Sequence, residues 1–169
     1  MAIARVRPLY TPDMPISDLR TAETVILVTL RLRALQWREP DNRHPDWHDG
    51  LEAGNLPSWA VDAFEDLFQI VATMARYPLD VRGLRCLQLG FDEGQFLQTV
   101  SFFQHCQREQ AEATLKDWLS AGAYRLAAYP AASLACAFEQ ADLIIGPRDL
   151  VAAVTECQLK VIPRPTRFH

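Results

Sequence analysis

The stretch PSWAVDAFEDLFQIVATMARY, residues 57–77, decides the fold class. Apolar side chains recur in it every three or four residues, the spacing that places them along one face of an α-helix. Pro57 can occupy the first turn without losing a hydrogen bond, and Pro78 would end the helix. The stretch therefore predicts an amphipathic helix. Its apolar stripe consists of Ala60, Ala63, Phe64, Leu67, Val71 and Met74, with Asp62, Glu65 and Asp66 off the stripe.

The segment SDLRTAETVILVTLRLRALQWRE, residues 17–39, predicts a second helix. Ser17 can cap the first turn, and Asp18 suits the positive end of the helix dipole. The piece LRLRAL also alternates with period two, so a strand is the alternative. Length and the cap favour a helix that ends near Arg38. At helical spacing a polar edge is formed by Arg20, Thr24, Arg31 and Arg38.

Helical spacing returns after residue 90. Asp92 followed by Gln95 resembles a capping box and predicts the start of a helix over 92–107. Residues 108–121 continue in helical register, so the two segments form either one long helix or a broken pair. Gly122 is a suitable terminator for the second of them.

Prolines open the last two predicted helices. Pro130 and Pro147 can each occupy a first turn, the latter in a helix over 147–158. Residues 1–15 and 158–169 are rich in proline and are predicted to be irregular tails.

The sequence thus predicts an all-α fold, an irregular bundle of five to seven helices with short connections. No internal repeat or low-complexity linker interrupts residues 1–169, which predicts a single domain. The alternative is an α/β fold with a small sheet, in which TVILVTLRLRAL, LRCLQL, DLII and LKVIP are strands. Glycine is scarce for that fold, and the first of these strands would be unusually long.

Composition narrows the classes of function. The chain is acidic, with a formal net charge of −4, and has no concentrated basic run, which argues against nucleic acid as a partner. No apolar run approaches the roughly 20 residues that span a bilayer, which argues against a membrane partner. The N-terminus has no apolar stretch like that of a signal peptide, so we expect a cytoplasmic protein.

Signatures of catalysis are missing from the sequence. The seven glycines form no phosphate-binding loop, and there is neither a G-x-S-x-G elbow nor an H-E-x-x-H motif. Without a Cys-x-x-Cys pair, the cysteines are predicted to be reduced thiols, buried where they lie in apolar helices, as Cys106 and Cys136 do. No cofactor is predicted, and the balance is against an enzyme. The four cysteines are Cys86, Cys106, Cys136 and Cys157.

The stretch DNRHPDWHDGLEAGN, residues 41–55, is the best candidate for chemistry. His44 and His48 are four residues apart, and with Asp46 they could supply nitrogen and oxygen ligands to zinc, iron or manganese. Such residues are also common in turns for conformational reasons alone. We therefore favour a structural loop without a metal, and keep a metal site at these three residues as the alternative.

Three tryptophans surround this loop. Trp37, Trp47 and Trp59 lie at the end of one predicted helix, in the loop and at the start of the next. They could line a pocket over residues 37–59, but we favour the simpler prediction that they anchor the loop to the bundle.

The leading prediction of function is a non-enzymatic interaction or regulatory module that acts through protein contacts. Phe68 and Ile70 lie outside the main stripe of residues 57–77, so that helix has a wide apolar surface. Because such a surface has to be covered, we expect a homodimer, with a further, unidentified protein partner possible. The alternative is a metal-dependent enzyme or a small-molecule-binding protein with its site at residues 37–59.

Overall fold

The computed structural model describes residues 8–146, and the predicted helix at 147–158 and the tail at 158–169 lie outside them. A short 3₁₀ helix, Ile16–Asp18, comes first. No strand occurs within the described residues, where two isolated bridges join Pro15 to Gln88 and Ala75 to Leu119. The predicted all-α bundle is confirmed. Its six α-helices are α1 (Thr21–Arg38), α2 (His48–Ala53), α3 (Trp59–Met74), α4 (Phe91–Gln104), α5 (Arg108–Trp118) and α6 (Ala123–Gln140).

Helices α1 and α4 do not begin where the capping residues Ser17 and Asp92 predicted. α1 begins at Thr21, because Glu23 accepts a hydrogen bond from the backbone N–H of Arg20 at 2.6 Å and so caps the first turn. Ser17 lies instead in the 3₁₀ helix. α4 begins one residue earlier than predicted, with Glu93 rather than Gln95 as the capping side chain.

Residues 92–121 form a broken pair of helices. α4 ends at Gln104, and Cys106 adopts a positive φ of 57° before α5 begins. Since a left-handed residue cannot continue a right-handed helix, this residue turns the chain. α5 then ends at Trp118, so Gly122 does not terminate it but directly precedes α6.

Pro130 lies inside α6, not at its start as predicted. A proline there cannot donate the usual hydrogen bond to the carbonyl four residues earlier, which belongs to Leu126. Pro130 itself is buried, whereas Leu126 is 58% exposed. The helix nevertheless continues past the proline to Gln140.

The core is built around α4, which contacts α1, α5 and α6 and is buried on nearly all sides. α3 and α6 form the most extensive helix pair. They run antiparallel, because the N–H of Ser120 donates to the carbonyl of Met74 and brings the start of α6 to the end of α3. A row of aromatic rings crosses the core with centroids 5.3, 5.5 and 6.4 Å apart, from Trp47 through Phe64 and Phe96 to Trp118.

The described helices include none that is long and apolar enough to cross a membrane.

Candidate functional site

The segment 41–55 is only partly a loop, because its second half forms α2. Within this segment, Nε2 of His44 donates a hydrogen bond to the carbonyl oxygen of Glu39 at 3.0 Å. His48 pairs instead with Asp46, whose Oδ1 lies 2.5 Å from Nδ1 and also accepts from the backbone N–H of His48. The backbone hydrogen bond from His48 and, to a lesser extent, the hydrogen bond to its side chain lower the pKa of Asp46. Each candidate ligand thus has a local partner.

The three residues of the alternative metal site, His44, Asp46 and His48, do not form a common site in the structure. His44 bonds to the end of α1, whereas His48 and Asp46 bond to each other at the start of α2. Across residues 8–146, no group of three or more His, Cys, Asp or Glu side chains is arranged to hold a metal ion. The arrangement is that of residues which shape a turn.

The tryptophans divide between anchoring and surface roles. Trp47 is buried at 5% exposure, packs against Phe64 and stacks on His48 at a centroid distance of 3.8 Å. Trp37 and Trp59 are 43% and 39% exposed, so the three rings do not enclose a pocket. The prediction that Trp47 anchors the loop is confirmed, because its ring joins the core.

A buried ion pair that sequence reasoning missed lies between α1 and α4. Arg31 donates to Glu93 through Nε at 2.7 Å and through Nη2 at 3.0 Å, with side-chain exposures of 2% and 0%. Arg31 also donates to the carbonyls of Cys86 and Gln88, so it fixes the connection before α4. The prediction that Arg31 belongs to a polar edge of α1 is therefore wrong. All of these hydrogen bonds are internal, which makes the pair structural.

Asp92, next to Glu93, holds the other side of α4. Its Oδ1 accepts from the indole N–H of Trp118 at 2.6 Å, and its Oδ2 accepts from the backbone N–H of Asp80. Burial raises the pKa of Asp92, because the charged carboxylate is poorly solvated there. The adjacent acids serve separate contacts, as expected for neighbours on a helix, and do not form an acid/base pair.

A third polar cluster holds the end of the described chain. Glu23 accepts from the hydroxyl of Tyr10 at 2.5 Å and from the backbone N–H of Gly146 at 3.1 Å, while Arg20 donates to the carbonyl of Gly146 at 2.9 Å. Burial, followed by the charge of Glu23, raises the pKa of Tyr10. The cluster brings residues from both ends of the described chain onto the first turn of α1.

His105 directly follows the last residue of α4 and lies beside the cluster around Glu23. Its Nε2 lies 2.7 Å from the carbonyl oxygen of Ile145, which also accepts from the hydroxyl of Ser101. Its Nδ1 is buried and has no hydrogen-bond partner. Burial lowers the pKa of His105. The next residue, Cys106, is exposed, so the predicted burial of this thiol is wrong because the helix ends before it.

The outer face of α6 is an apolar surface open to solvent. Tyr129 is 81% exposed, and Cys136, predicted to be buried, is also exposed because it points away from the core. No charged residue occurs between Arg125 and Glu139. We refer to this stripe as the α6 face, which consists of Leu126, Tyr129, Ala132, Ser133 and Cys136.

Comparison with known proteins identifies no relative. No protein-family model matches the sequence, and neither curated proteins nor solved structures give a significant match.

Proposed function

We propose that the chain is a non-enzymatic helical module that acts through protein contacts and assembles as a homodimer through the α6 face. The observation that carries this proposal is a helical stripe that bears no charge over about three turns. It is exposed at Leu126, Tyr129 and Cys136 and partly exposed at Ala132 and Ser133. A polar surface is the rule on the outer side of a bundle helix, so an uncharged stripe of this length indicates a contact surface.

The wide apolar surface predicted for α3 does not support the homodimer. Phe68 is fully buried, and the guanidinium of Arg33 lies 4.7 Å from its ring centroid. Ile70 is partly buried and packs against the core. The wide apolar surface of α3 is thus covered by its own chain, and the proposal depends on α6 alone.

A second copy is the partner that the α6 face suits best. In a two-fold interface each residue of one copy meets a counterpart of the other, so a face without charge avoids like-charge contacts. Antiparallel pairing centred on Ala132 and Ser133 would allow close approach, because both side chains are small. It would also bring Arg125 of one copy towards Glu139 of the other, an attraction between opposite charges. We infer the cytoplasm as its location, since exposed thiols such as Cys136 persist in a reducing compartment.

The test compares two leucine variants by analytical ultracentrifugation at micromolar concentration. The unmodified chain is expected to sediment as a dimer, and Leu126→Asp as a monomer, because it buries a carboxylate in the interface. Leu87→Asp is the control, since Leu87 is 73% exposed and lies in the connection before α4. It should remain a dimer. A monomeric unmodified chain, or a dimer that survives Leu126→Asp, would contradict the proposal.

A further inference from the structure

A second apolar surface lies between α1 and α2, where the two helices leave an open groove of about 430 Å³. One wall of the groove consists of Leu19 and of Val25 and Val28 from α1, and Val28 is 40% exposed. The opposite wall is α2, which contributes Gly50 and Ala53. The groove is thus a separate surface from the α6 face.

The α2 wall is held against the core before any partner arrives. Leu51 is fully buried, and the ring of Trp47 packs against Phe64 just ahead of the helix. Gly50 allows α2 to approach α1 closely, since an added Cβ would lie 2.5 Å from Oγ1 of Thr29. A groove whose walls are already fixed loses little conformational entropy when it is filled, which favours binding.

The chemistry of the groove fits a helix better than a small polar ligand. Among its lining residues only Thr21 and Thr24 have polar side chains, and the hydroxyl of Thr24 already donates to the carbonyl of Arg20 at 2.9 Å. A small-molecule site usually encloses about 70–90% of its ligand, which an open groove does not do. An amphipathic helix, in contrast, lays one apolar face into a groove and keeps its other face in solvent.

Exposed carboxylates flank the groove. Asp18, Asp49 and Glu52 are all exposed, and each directly adjoins a lining residue in the sequence. Within residues 8–146 none of the three forms a salt bridge. The guanidinium of Arg20, the basic residue nearest to the groove in sequence, is held by the carbonyl of Gly146. The rim is therefore negative and attracts a partner with positive charge around its apolar face.

From these observations we propose that the α1–α2 groove binds an amphipathic helix of a partner protein, with leucine or similar side chains along one face and lysine or arginine beside them. The inference rests on the proposed function, because it names the kind of protein that the module contacts. It does not require the homodimer, which forms through α6. The wider acidic region, with six acidic residues and no Lys or Arg over residues 44–66, adds attraction at longer range.

The experiment measures binding of a synthetic helical peptide to the full-length chain by fluorescence anisotropy. The probe consists of leucine and lysine, with leucine at helical spacing along one face, and is about four turns long. A peptide with the same leucines and with glutamate in place of lysine is its control. We expect the lysine peptide to bind with a micromolar Kd and the glutamate peptide to bind about tenfold more weakly or less, because the rim repels it.

Variants on both walls test where the peptide binds. Val28→Lys and Ala53→Lys each place a charge of the same sign as the peptide in the groove, and each should raise the Kd by about tenfold or more. Leu87→Lys is the matched control, because it makes the same change of charge at an exposed leucine in the connection before α4. It should leave the Kd within about twofold of that of the unmodified chain. Circular dichroism of each variant checks that the bundle is intact.

Neutralising the rim tests the electrostatic part of the inference. Asp49→Asn combined with Glu52→Gln should raise the Kd by about threefold or more at low salt and have little effect at high salt, where the attraction is screened. The matched control combines Glu109→Gln with Asp117→Asn, which removes two exposed carboxylates of α5. It should leave the Kd unchanged at both salt concentrations.

Three outcomes would overturn the inference. Failure of the lysine peptide to bind, or equal binding of the glutamate peptide, would exclude a basic amphipathic helix as the partner. A Kd that survives both Val28→Lys and Ala53→Lys would place the peptide outside the groove. Dissociation of the dimer by the peptide would place it on the α6 face.

The homodimer and the groove are tested separately. Sedimentation without peptide decides the homodimer. The Kd is measured in the Leu126→Asp chain as well as in the unmodified chain, and it should be the same in both. Loss of binding in Leu126→Asp would contradict the inference, whether or not the unmodified chain is a dimer.

Discussion

The indole of Trp47 shows how one residue fixes the segment 41–55. It is the only residue between 41 and 50 that is buried, and it reaches Phe64 in the core. His44 and His48 flank it, yet each is held by a contact within residues 39–48. The stability of this segment therefore depends on the ring rather than on the imidazoles.

Substitutions at these three positions should rank accordingly. Trp47→Ala is expected to lower the free energy of unfolding by about 3 kcal/mol, because it leaves a cavity beside Phe64. His44→Ala should cost about 1 kcal/mol for its hydrogen bond to Glu39. His48→Ala, at an exposed ring, should cost about 0.5 kcal/mol or less. Urea titrations followed by circular dichroism measure all three, and a histidine variant costlier than Trp47→Ala would contradict this ranking.

His105 predicts how stability depends on pH. Because Nε2 donates to the carbonyl of Ile145, the neutral ring leaves Nδ1 as an acceptor, and protonation would bury an N–H there without a partner. Burial lowers the pKa of His105 in the folded state. The hydrogen bond to Ile145 and the charge of Glu139 oppose this effect, and the charge of Arg20 adds to it. The unfolded chain thus binds the proton more readily. Stability from this group is complete above the ordinary histidine pKa and is lost as the pH falls below about 6.5.

The measurement compares the unmodified chain with His105→Gln at several pH values between 7 and 5. The unmodified chain is expected to lose more stability on acidification, since the variant lacks the titrating ring. The difference between the two chains removes the contribution of carboxylates that both retain. Equal losses would show that the folded chain binds the proton as readily as the unfolded chain does, and would contradict the prediction.

At the scale of the elements, α3 and α4 show what the sequence could and could not predict. α3 has one apolar face and one acidic face, so its periodicity predicts both its existence and its buried side. α4 is buried on nearly all sides, and its polar residues Gln98 and Gln104 bond to groups in neighbouring segments. Periodicity cannot reveal such burial, because the partners are distant in sequence. The ion pair between Arg31 and Glu93 was missed for the same reason.

The turn between α5 and α6 depends on a left-handed glycine. Gly122 has a φ of 86°, and an added Cβ would meet no atom within 4 Å. A side chain there would therefore cost backbone strain and no steric clash. We expect Gly122→Ala to lower the free energy of unfolding by about 1–2 kcal/mol.

Gly83 provides the matched control. It too has open space around an added Cβ, but its φ lies outside the left-handed range. Gly83→Ala should leave stability unchanged or raise it by about 0.4–1 kcal/mol, because it restricts the unfolded chain. Thermal and urea unfolding of both variants would test the contrast, and equal effects would refute the role of the positive φ.

At the scale of the whole molecule, the all-α class followed from the sequence, whereas helix α2 and the site residues did not. His44, Asp46 and His48 were grouped by their spacing, but the turn before α2 separates them. The exposed thiols of Cys106 and Cys136 were read as buried, because the direction of a side chain depends on how the helices pack. The properties of single segments are local, and surfaces arise only when the segments assemble.

Tyr10 and Gly146 both donate a hydrogen bond to the carboxylate of Glu23, and this bears on where the chain can begin. Since both ends of the described region converge on one carboxylate, the bundle does not require its N-terminus to be where it is. A circular permutant that joins His169 to Met1 and opens at the exposed residues 41–43 should therefore fold to the same helical spectrum. The new ends of the permutant would lie just before α2. The first turn of α1 would then hold together two segments from within the permuted sequence.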